Sequence, residues 1–393
     1  MSIPQQAISQ PSDTRPALPG RLRRALWRIL PLLGLLHAYI GWRLLPALDL
    51  TATGWVLALA VLAASSCLVP FGLLARHVVS RQVTADQLAW LGGLAMGYFS
   101  SILVLTVLRD LSLLFFHQSG WASASALGVI GLASFFTLAG YANARKVARV
   151  VEIDIPLADL PPALEGFTIV QLSDIHVGPT IKQDYVQAIV NRVNGLDADL
   201  VAITGDVVDG DVQQLRPHTA PLGSLRSRHG SYWVTGNHEY YSGAAAWIRE
   251  FERIGLHGLH NRHVVIEHGG ARFVLAGVTD YTAGAFDAAL ASDPAAALAG
   301  SPPGLPRILL AHQPRSATAA AAAGFDLQLS GHTHGGQFWP WNHFVPMQQP
   351  FTAGLHRLGR LAIYTSRGTG YWGPPKRFGA PSEITVLRLV AAR

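Results

Sequence analysis

Four apolar stretches, each close to the roughly 20 residues that cross a bilayer, occupy the first 150 residues of this 393-residue chain. They run from Leu26 to Leu45, Trp55 to Ala75, Leu88 to Leu108 and Ala122 to Ala142. Helices of a soluble bundle would each carry a polar face recurring every 3.6 residues, and none of these does. Trp27, Trp42, Trp55, Trp90, Trp121 and Tyr141 fall near their ends, where an aromatic belt belongs. A secretory signal would explain only the first stretch, and no small-residue cleavage site follows it. The expectation is a polar tail over residues 1–24 and four transmembrane helices over residues 25–145.

Charge divides the chain at the same place. Residues 1–150 carry 12 Lys and Arg against 4 Asp and Glu, and residues 151–393 carry 18 against 20. The formal charge of +6 therefore belongs to the apolar part, and the rest has no basic stripe for a nucleic-acid backbone. One cysteine, Cys67, excludes a disulfide framework and a cysteine-rich zinc module. Arg15, Arg21, Arg23, Arg24 and Arg28 precede or open the first stretch. Arg76 and Arg81 lie between the second and third, and Arg145, Lys146 and Arg149 follow the fourth, whereas only Arg43 and Arg109 flank the other two loops. The positive-inside bias puts both termini, and the remaining domain, on the cytoplasmic side of the membrane.

From Val150 the texture changes to short apolar runs punctuated by Gly, Pro, Asp and His. Residues 146–165 read as a linker with an edge strand, since Val151, Ile153 and Ile155 alternate with polar neighbours. Residues 166–393 read as an α/β domain. Strands are expected at Phe167–Leu172, Leu200–Thr204, Tyr232–Thr235, Arg272–Val278, Ile308–Ala311, Leu327–Ser330, Leu361–Thr365 and Ile384–Leu389. Ile181, Tyr185, Ile189 and Val193 recur every four residues and mark a helix, and Ala244–Ile254 and Ser316–Ala323 read as two more.

Five of these strands run into metal-type ligands. Ser173-Asp174-Ile175-His176 follows the first, Gly205-Asp206-Val207-Val208-Asp209 the second and Gly236-Asn237-His238-Glu239 the third. His312 and then Gly331-His332-Thr333-His334 close two later ones. In open α/β sheets ligands bind beyond the carboxyl ends of strands, so the clusters are placed to share one crevice. Asp174, His176, Asp206, Asn237, His312, His332 and His334 supply seven oxygen or nitrogen donors, with no thiolate among them. Two divalent ions, Mn, Fe or Zn, suit such a set.

At these residues the chain resembles the calcineurin-like metallophosphoesterases, whose pattern is D-x-H, G-D-x-x-D, G-N-H-[DE], H and G-H-x-H. The resemblance implies a four-layer α/β/β/α sandwich with a binuclear metal centre at the strand ends. It implies that Asp174, His176, Asp206 and His334 bind one ion and that Asp206, Asn237, His312 and His332 bind the other, with Asp206 bridging. It further implies that His238 is the general acid, oriented by Asp209. The ending from Ser366-Arg367-Gly368-Thr369-Gly370 to Arg377-Phe378-Gly379-Ala380-Pro381-Ser382-Glu383-Ile384 resembles a bacterial membrane-associated branch. That branch includes phosphodiesterases and hydrolases of UDP-2,3-diacylglucosamine.

The resulting expectation is an integral membrane phosphoesterase that cleaves a phosphodiester or pyrophosphate with a hydroxide held between two metals. A lipid-linked or nucleotide-lipid substrate, in contact with membrane lipids, follows from the branch. Its rivals are a nuclease or nucleotide phosphodiesterase of the same fold and a non-catalytic metal-binding membrane sensor or scaffold. Arg367, Lys376 and Arg377 are the expected phosphate-holding cations. The proline-broken aromatic run Phe338, Trp339, Trp341, Phe344 and Phe351 is read either as minor core or as an apolar lip at the headgroups.

Overall fold

The computed structural model describes residues 20–115 and 121–392, with side chains from residue 28 onward except at 77. Most of the expected polar tail, residues 1–19, lies outside the described residues, as do the side chains of Arg21, Arg23, Arg24 and Trp27. Four long helices come first: α1 (Gly20–Leu44), α2 (Ala52–Val78), α3 (Gln82–Leu113) and α4 (Trp121–Ala144). All four are long and apolar enough to cross a membrane. Their burial is inverted relative to a soluble bundle. Leu35, Trp42, Val56, Val61, Phe71 and Leu138 face outward, while His37, Ser100, Ser101, Thr106 and Arg109 are buried inside. Such a surface is stable only against lipid, and the region is membrane-associated.

The rest of the chain holds twelve described strands. In chain order they are β1 (Arg149–Leu157), β2 (Thr168–Leu172), β3 (Leu200–Ile203), β4 (Ser231–Trp233), β5 (His257–Gly258) and β6 (Arg262–His268). There follow β7 (Ala271–Gly277), β8 (Arg307–Leu310), β9 (Leu327–Ser330), β10 (Gly354–Leu358), β11 (Leu361–Thr365) and β12 (Glu383–Ala391). They form two six-stranded sheets, ordered β1-β12-β2-β3-β4-β5 and β10-β11-β9-β8-β7-β6. The interleaved helices are α5 (Gln183–Asn194), α6 (Val212–Thr219), α7 (Asn237–Tyr241), α8 (Ala244–Arg253), α9 (Pro294–Ala297) and α10 (Ala317–Ala323).

Side-chain alternation builds the layers. Ile169 on β2 joins Leu200, Phe273, Leu275, Ile308 and Leu329 in the core between the sheets. Its neighbour Val170 faces the other way, into a core with Val186, Ile189, Trp247 and Phe251 of α5 and α8. On the far side of the second sheet Leu309 and Ile363 pack with Ala317 and Ala320 of α10. The result is the expected helix/sheet/sheet/helix sandwich. Strands β2, β3 and β4 run parallel, as do β8 and β9, so within each sheet their carboxyl ends share one edge.

The helices and the sandwich meet along a built seam. The loop after β11 drives Lys376 between α3 and α4, where its ammonium donates to the Gly97 carbonyl at 3.0 Å and to the Ser101 and Thr137 hydroxyls. Gly140 makes room, since a Cβ there would stand 2.6 Å from Lys376 Cγ. The Arg377 amide donates to the Gly140 carbonyl at 2.8 Å, and Trp341 Nε1 donates to Ser100 Oγ at 2.8 Å. At the other end, the Arg76 guanidinium donates to the Asp209 carbonyl, and Lys182 pairs with Asp86 of α3 at 2.7 Å. Of the aromatic run, Phe338 is buried and Trp339 packs against the helix cluster, not beneath a sheet.

Candidate metal centre

Each strand end delivers its polar residues through an abrupt backbone turn. Asp174, His176, Asp206, His332 and His334 all adopt positive φ, between 51° and 70°. That conformation is uncommon outside glycine and is held only where the surroundings enforce it. Five of the ten such non-glycine residues described are therefore concentrated in one small site. Gly331 is required for contact alone: a Cβ there would lie 2.2 Å from Asp174 Oδ2 and 1.9 Å from Ser173 Oγ.

Six of the seven expected donors converge, joined by His238. Three groups, Asp174/His176/His334, His176/Asp206/His238 and Asp206/His312/His332, each place one ligand atom per residue within 4.8 Å of the others. Asp206 belongs to two of them. Its Oδ2 lies 3.1 Å from His312 Nε2 and 3.9 Å from both His176 Nε2 and His238 Nε2. The His176 and His334 Nε2 atoms stand 3.0 Å apart, and His332 Nδ1 is 3.2 Å from His312 Nε2. Asn237 Oδ1 is buried with no hydrogen-bond partner. Ring nitrogens turned toward one another, beside an orphaned amide oxygen and a shared carboxylate, are the environment a pair of divalent cations fits.

Partners on the outer side fix the rings. His312 Nδ1 donates to the Thr204 carbonyl at 2.7 Å, which turns its Nε2 inward toward Asp206. Both Asp209 oxygens lie 3.1 Å from His176 Nδ1, and Asp209 Oδ1 is 2.6 Å from His238 Nδ1. Asp209 thus serves two imidazoles, one more than expected.

Burial and charge divide the titrating groups. Burial opposes ionisation of Asp206, but His312 and His238 outweigh it and hold the carboxyl well below its ordinary range. Asp209 is lowered in the same way, with His176 and His238 overriding burial. Burial alone would lower His238, yet the Asp206 and Asp209 carboxylates raise it to about 9. Burial and the neighbouring His312 press His332 down to about 3, and burial with Arg377 lowers His334. Among the ligands, the imidazoles of His332 and His334 are kept neutral and the shared Asp206 carboxylate ionised, while burial raises the Asp174 carboxyl.

Two expected residues are buried behind the site, Arg377 with its guanidinium 3.0 Å from His334 Nδ1. Lys376 is only 2% exposed, with its ammonium among helix oxygens, and Arg377 is 1% exposed. The Arg377 guanidinium is consumed by the carbonyls of His334, Arg367 and Gly370. Neither reaches the cleft as a free cation; both join the sandwich to its helices. Arg367 keeps a third of its side chain exposed and pairs with Glu383 at 3.1 Å. Conversely, Glu239 was visible in the G-N-H-E run without a role. Wholly buried, it accepts from the amides of Asp206, Val207, Val208 and Gly236 at 2.6–3.2 Å, clamping two ligand-bearing loops together.

Comparison with known proteins agrees with this geometry. Residues 167–336, from the start of β2 to just past His334, match the family described as calcineurin-like phosphoesterase. A transmembrane protein with metallophosphoesterase domain from Bos taurus is 41% identical over 278 residues, covering 68% of this chain and 62% of that protein. The protein of the same name from Danio rerio is 40% identical over 261 residues, covering 64% and 60%. An uncharacterized metallophosphoesterase from Campylobacter jejuni is 35% identical over 265 residues, covering 67% and 69%. The chain therefore spans about three fifths of the length of the two vertebrate relatives it matches.

Proposed function

Because the chain belongs to the calcineurin-like metallophosphoesterase family, we propose that it is a membrane-embedded, metal-dependent phosphoester hydrolase. The observation that carries this reading is the convergence of three ligand groups in which Asp206 is shared by two. Asp174, His176, Asp206 and His334 would hold one cation, and Asp206, Asn237, His312 and His332 the other. When bound, two divalent ions supply Lewis acidity toward the phosphoryl oxygens and lower the pKa of water beside them.

The chain's own groups do the rest. His238 carries a proton, stabilised on the imidazole by Asp206 and by the 2.6 Å contact with Asp209, and is the donor for the leaving oxygen. Glu239 fixes the loop that presents Asp206 relative to the one that presents His238. Asp209 keeps both His176 and His238 from rotating. A substrate attached to a lipid, such as a nucleotide-linked lipid of the UDP-2,3-diacylglucosamine type, is supported by the seam, which lays the loop after β11 against α3 and α4. A cytoplasmic position for the sandwich is supported by the crowding of Arg76, Arg81, Arg145 and Lys146 at the helix ends it adjoins.

The test is hydrolysis of bis-(p-nitrophenyl) phosphate by the full chain in detergent. Activity should vanish with chelator and return with Mn2+ or Zn2+, and its absence under every metal would refute the reading. For sidedness, Asp287→Cys in a Cys67→Ser background should react with an impermeant maleimide only after lysis. Reaction in intact cells would put the domain outside.

A further inference from the structure

A phosphoester hydrolase must seat the group that leaves, and in this site that group departs beside the proton donor. The surroundings of His238 are unusual. Its ring is approached edge-on by Tyr241 at 5.4 Å between centroids and by Trp372 at 5.6 Å. Phe286 extends the wall, 5.7 Å from Tyr241. These rings come from three separate segments, the end of α7, the turn after β7 and the loop after β11. Apolar rings gathered around a catalytic centre are ordinarily covered by protein. Here Tyr241 is 64% exposed, and Trp372 and Phe286 are each 52% exposed. Exposed apolar rings grouped beside a polar site mark a surface that an apolar ligand can cover.

Its position argues for the source of that ligand. Gln337 grips the Trp372 backbone from both sides, accepting from its amide at 2.9 Å and donating to its carbonyl at 2.8 Å. The next residues, Gly373 to Pro375, lie against Gly93 and Gly97 of α3. The wall beside His238 is thus continuous with the segment that docks on the membrane helices. Trp341, Phe344 and Met347, all largely exposed, extend from the same seam.

We propose that Tyr241, Phe286 and Trp372 form the leaving-group subsite, and that it takes the apolar body of a membrane lipid. The inference rests on the reading of His238 as proton donor to the leaving oxygen. In the step, water adds its oxygen to phosphorus and loses a proton to solvent, the P–O bond to the lipid breaks, and His238 gives its proton to the departing oxygen, then regains one from solvent.

The test uses the metal-loaded full chain in nanodiscs and methyl aryl phosphodiesters whose phenol carries a para-alkyl chain from methyl to hexyl. The phenol pKa is nearly constant across the series, so only apolar length varies. kcat/KM should rise roughly three- to fourfold per added methylene until the wall is covered. Tyr241→Ala with Trp372→Ala should flatten that slope, cutting the hexyl ester far more than the methyl ester. Because partition into the nanodisc is the same for both enzymes, the difference in slope isolates the subsite. An unchanged slope in the double variant overturns the proposal, as does an equal gain when the alkyl chain is moved to the retained side. Preference for a planar fused ring over an alkyl chain of equal area would assign the wall to a stacked base and also overturn it. Failure to hydrolyse any ester would instead remove the phosphoesterase reading itself.

Discussion

The two regions of this protein solve burial in opposite senses. In the helices apolar side chains cover the outside as well as the inner cluster, and polar ones such as His37, Thr106 and Arg109 are enclosed. In the sandwich the apolar side chains fill three cores, and the buried polar groups crowd at the strand ends. The difference teaches where to look: in each region the residues that break its own rule carry the purpose. Ser100, Ser101 and Thr137 are hydroxyls on otherwise apolar helices, and they receive the sandwich through Trp341 and Lys376. Asp174, Asp206 and His334 are polar groups in a dry interior, and they belong to the candidate metal centre.

The largest expected effect lies at the shared carboxylate. Asp206→Asn should lose both ions together and reduce turnover by at least about 10³-fold, beyond the 10–100-fold typical of removing an outer partner of a metal ligand. Asn237→Ala should deplete chiefly one ion. Metal analysis by mass spectrometry alongside turnover decides it, and two tightly held ions in active Asp206→Asn would break the assignment. Next comes the acid. His238→Ala should retain metal yet slow hydrolysis of an alkyl ester by roughly 10²–10⁴-fold. The loss should shrink for a nitrophenyl ester, whose leaving oxygen needs little protonation. Equal losses on both would take the proton-donor role from His238.

These residues were legible before the fold because each motif is local: an apolar strand, a turn and a ligand, all within about ten residues. The apolar strands were legible for the same reason, and β2, β3, β8, β9 and β11 lie within a residue of expectation. What escaped was non-local or weakly patterned. Strands β5, β6 and β10 are edge strands, half open to solvent, so their sequences lack a continuous apolar run. Lys376 and Arg377 were expected to hold phosphate because nothing near them in sequence reveals the helix pair that receives Lys376 or the carbonyls that take up Arg377. A buried lysine can be inferred only from its distant acceptors, here 275 and 279 residues away.

The seam supplies the third prediction. If the helices merely anchored the sandwich, Lys376→Met would be silent, since methionine keeps the stem and removes only the charge. With the ammonium satisfied by three helix oxygens, and Arg377 next to it donating to the His334 carbonyl at 2.9 Å, the substitution should be felt in both regions. Thermal unfolding in detergent should show a loss of about 1–3 kcal/mol, the usual cost of leaving buried polar groups unsatisfied. Metal affinity should weaken with it. Unchanged melting and metal content would reduce the seam to simple contact.

The smallest effect separates the histidines of the metal centre from one buried for another reason. The His260 ring packs edge-on against Trp233 at 5.0 Å, and its Nε2 is buried without a partner. Burial, with Arg262 nearby, lowers it from 6.5 to about 4. The folded state therefore refuses a proton that the unfolded chain accepts below pH 6.5. Stability from this group is fully present above that pH and is lost as pH falls from 6.5 to 4, where the folded form also protonates. The full loss is at most about 3 kcal/mol, from roughly 1.4 kcal/mol per pKa unit. His260→Phe removes the titration while keeping an apolar ring. Melting curves from pH 7 to pH 4 should show the variant gaining on the wild type through that window, while the metal-centre histidines contribute equally to both. A constant difference across the window would mean that His260 takes up its proton at the same pH folded and unfolded, and that burial does not govern it.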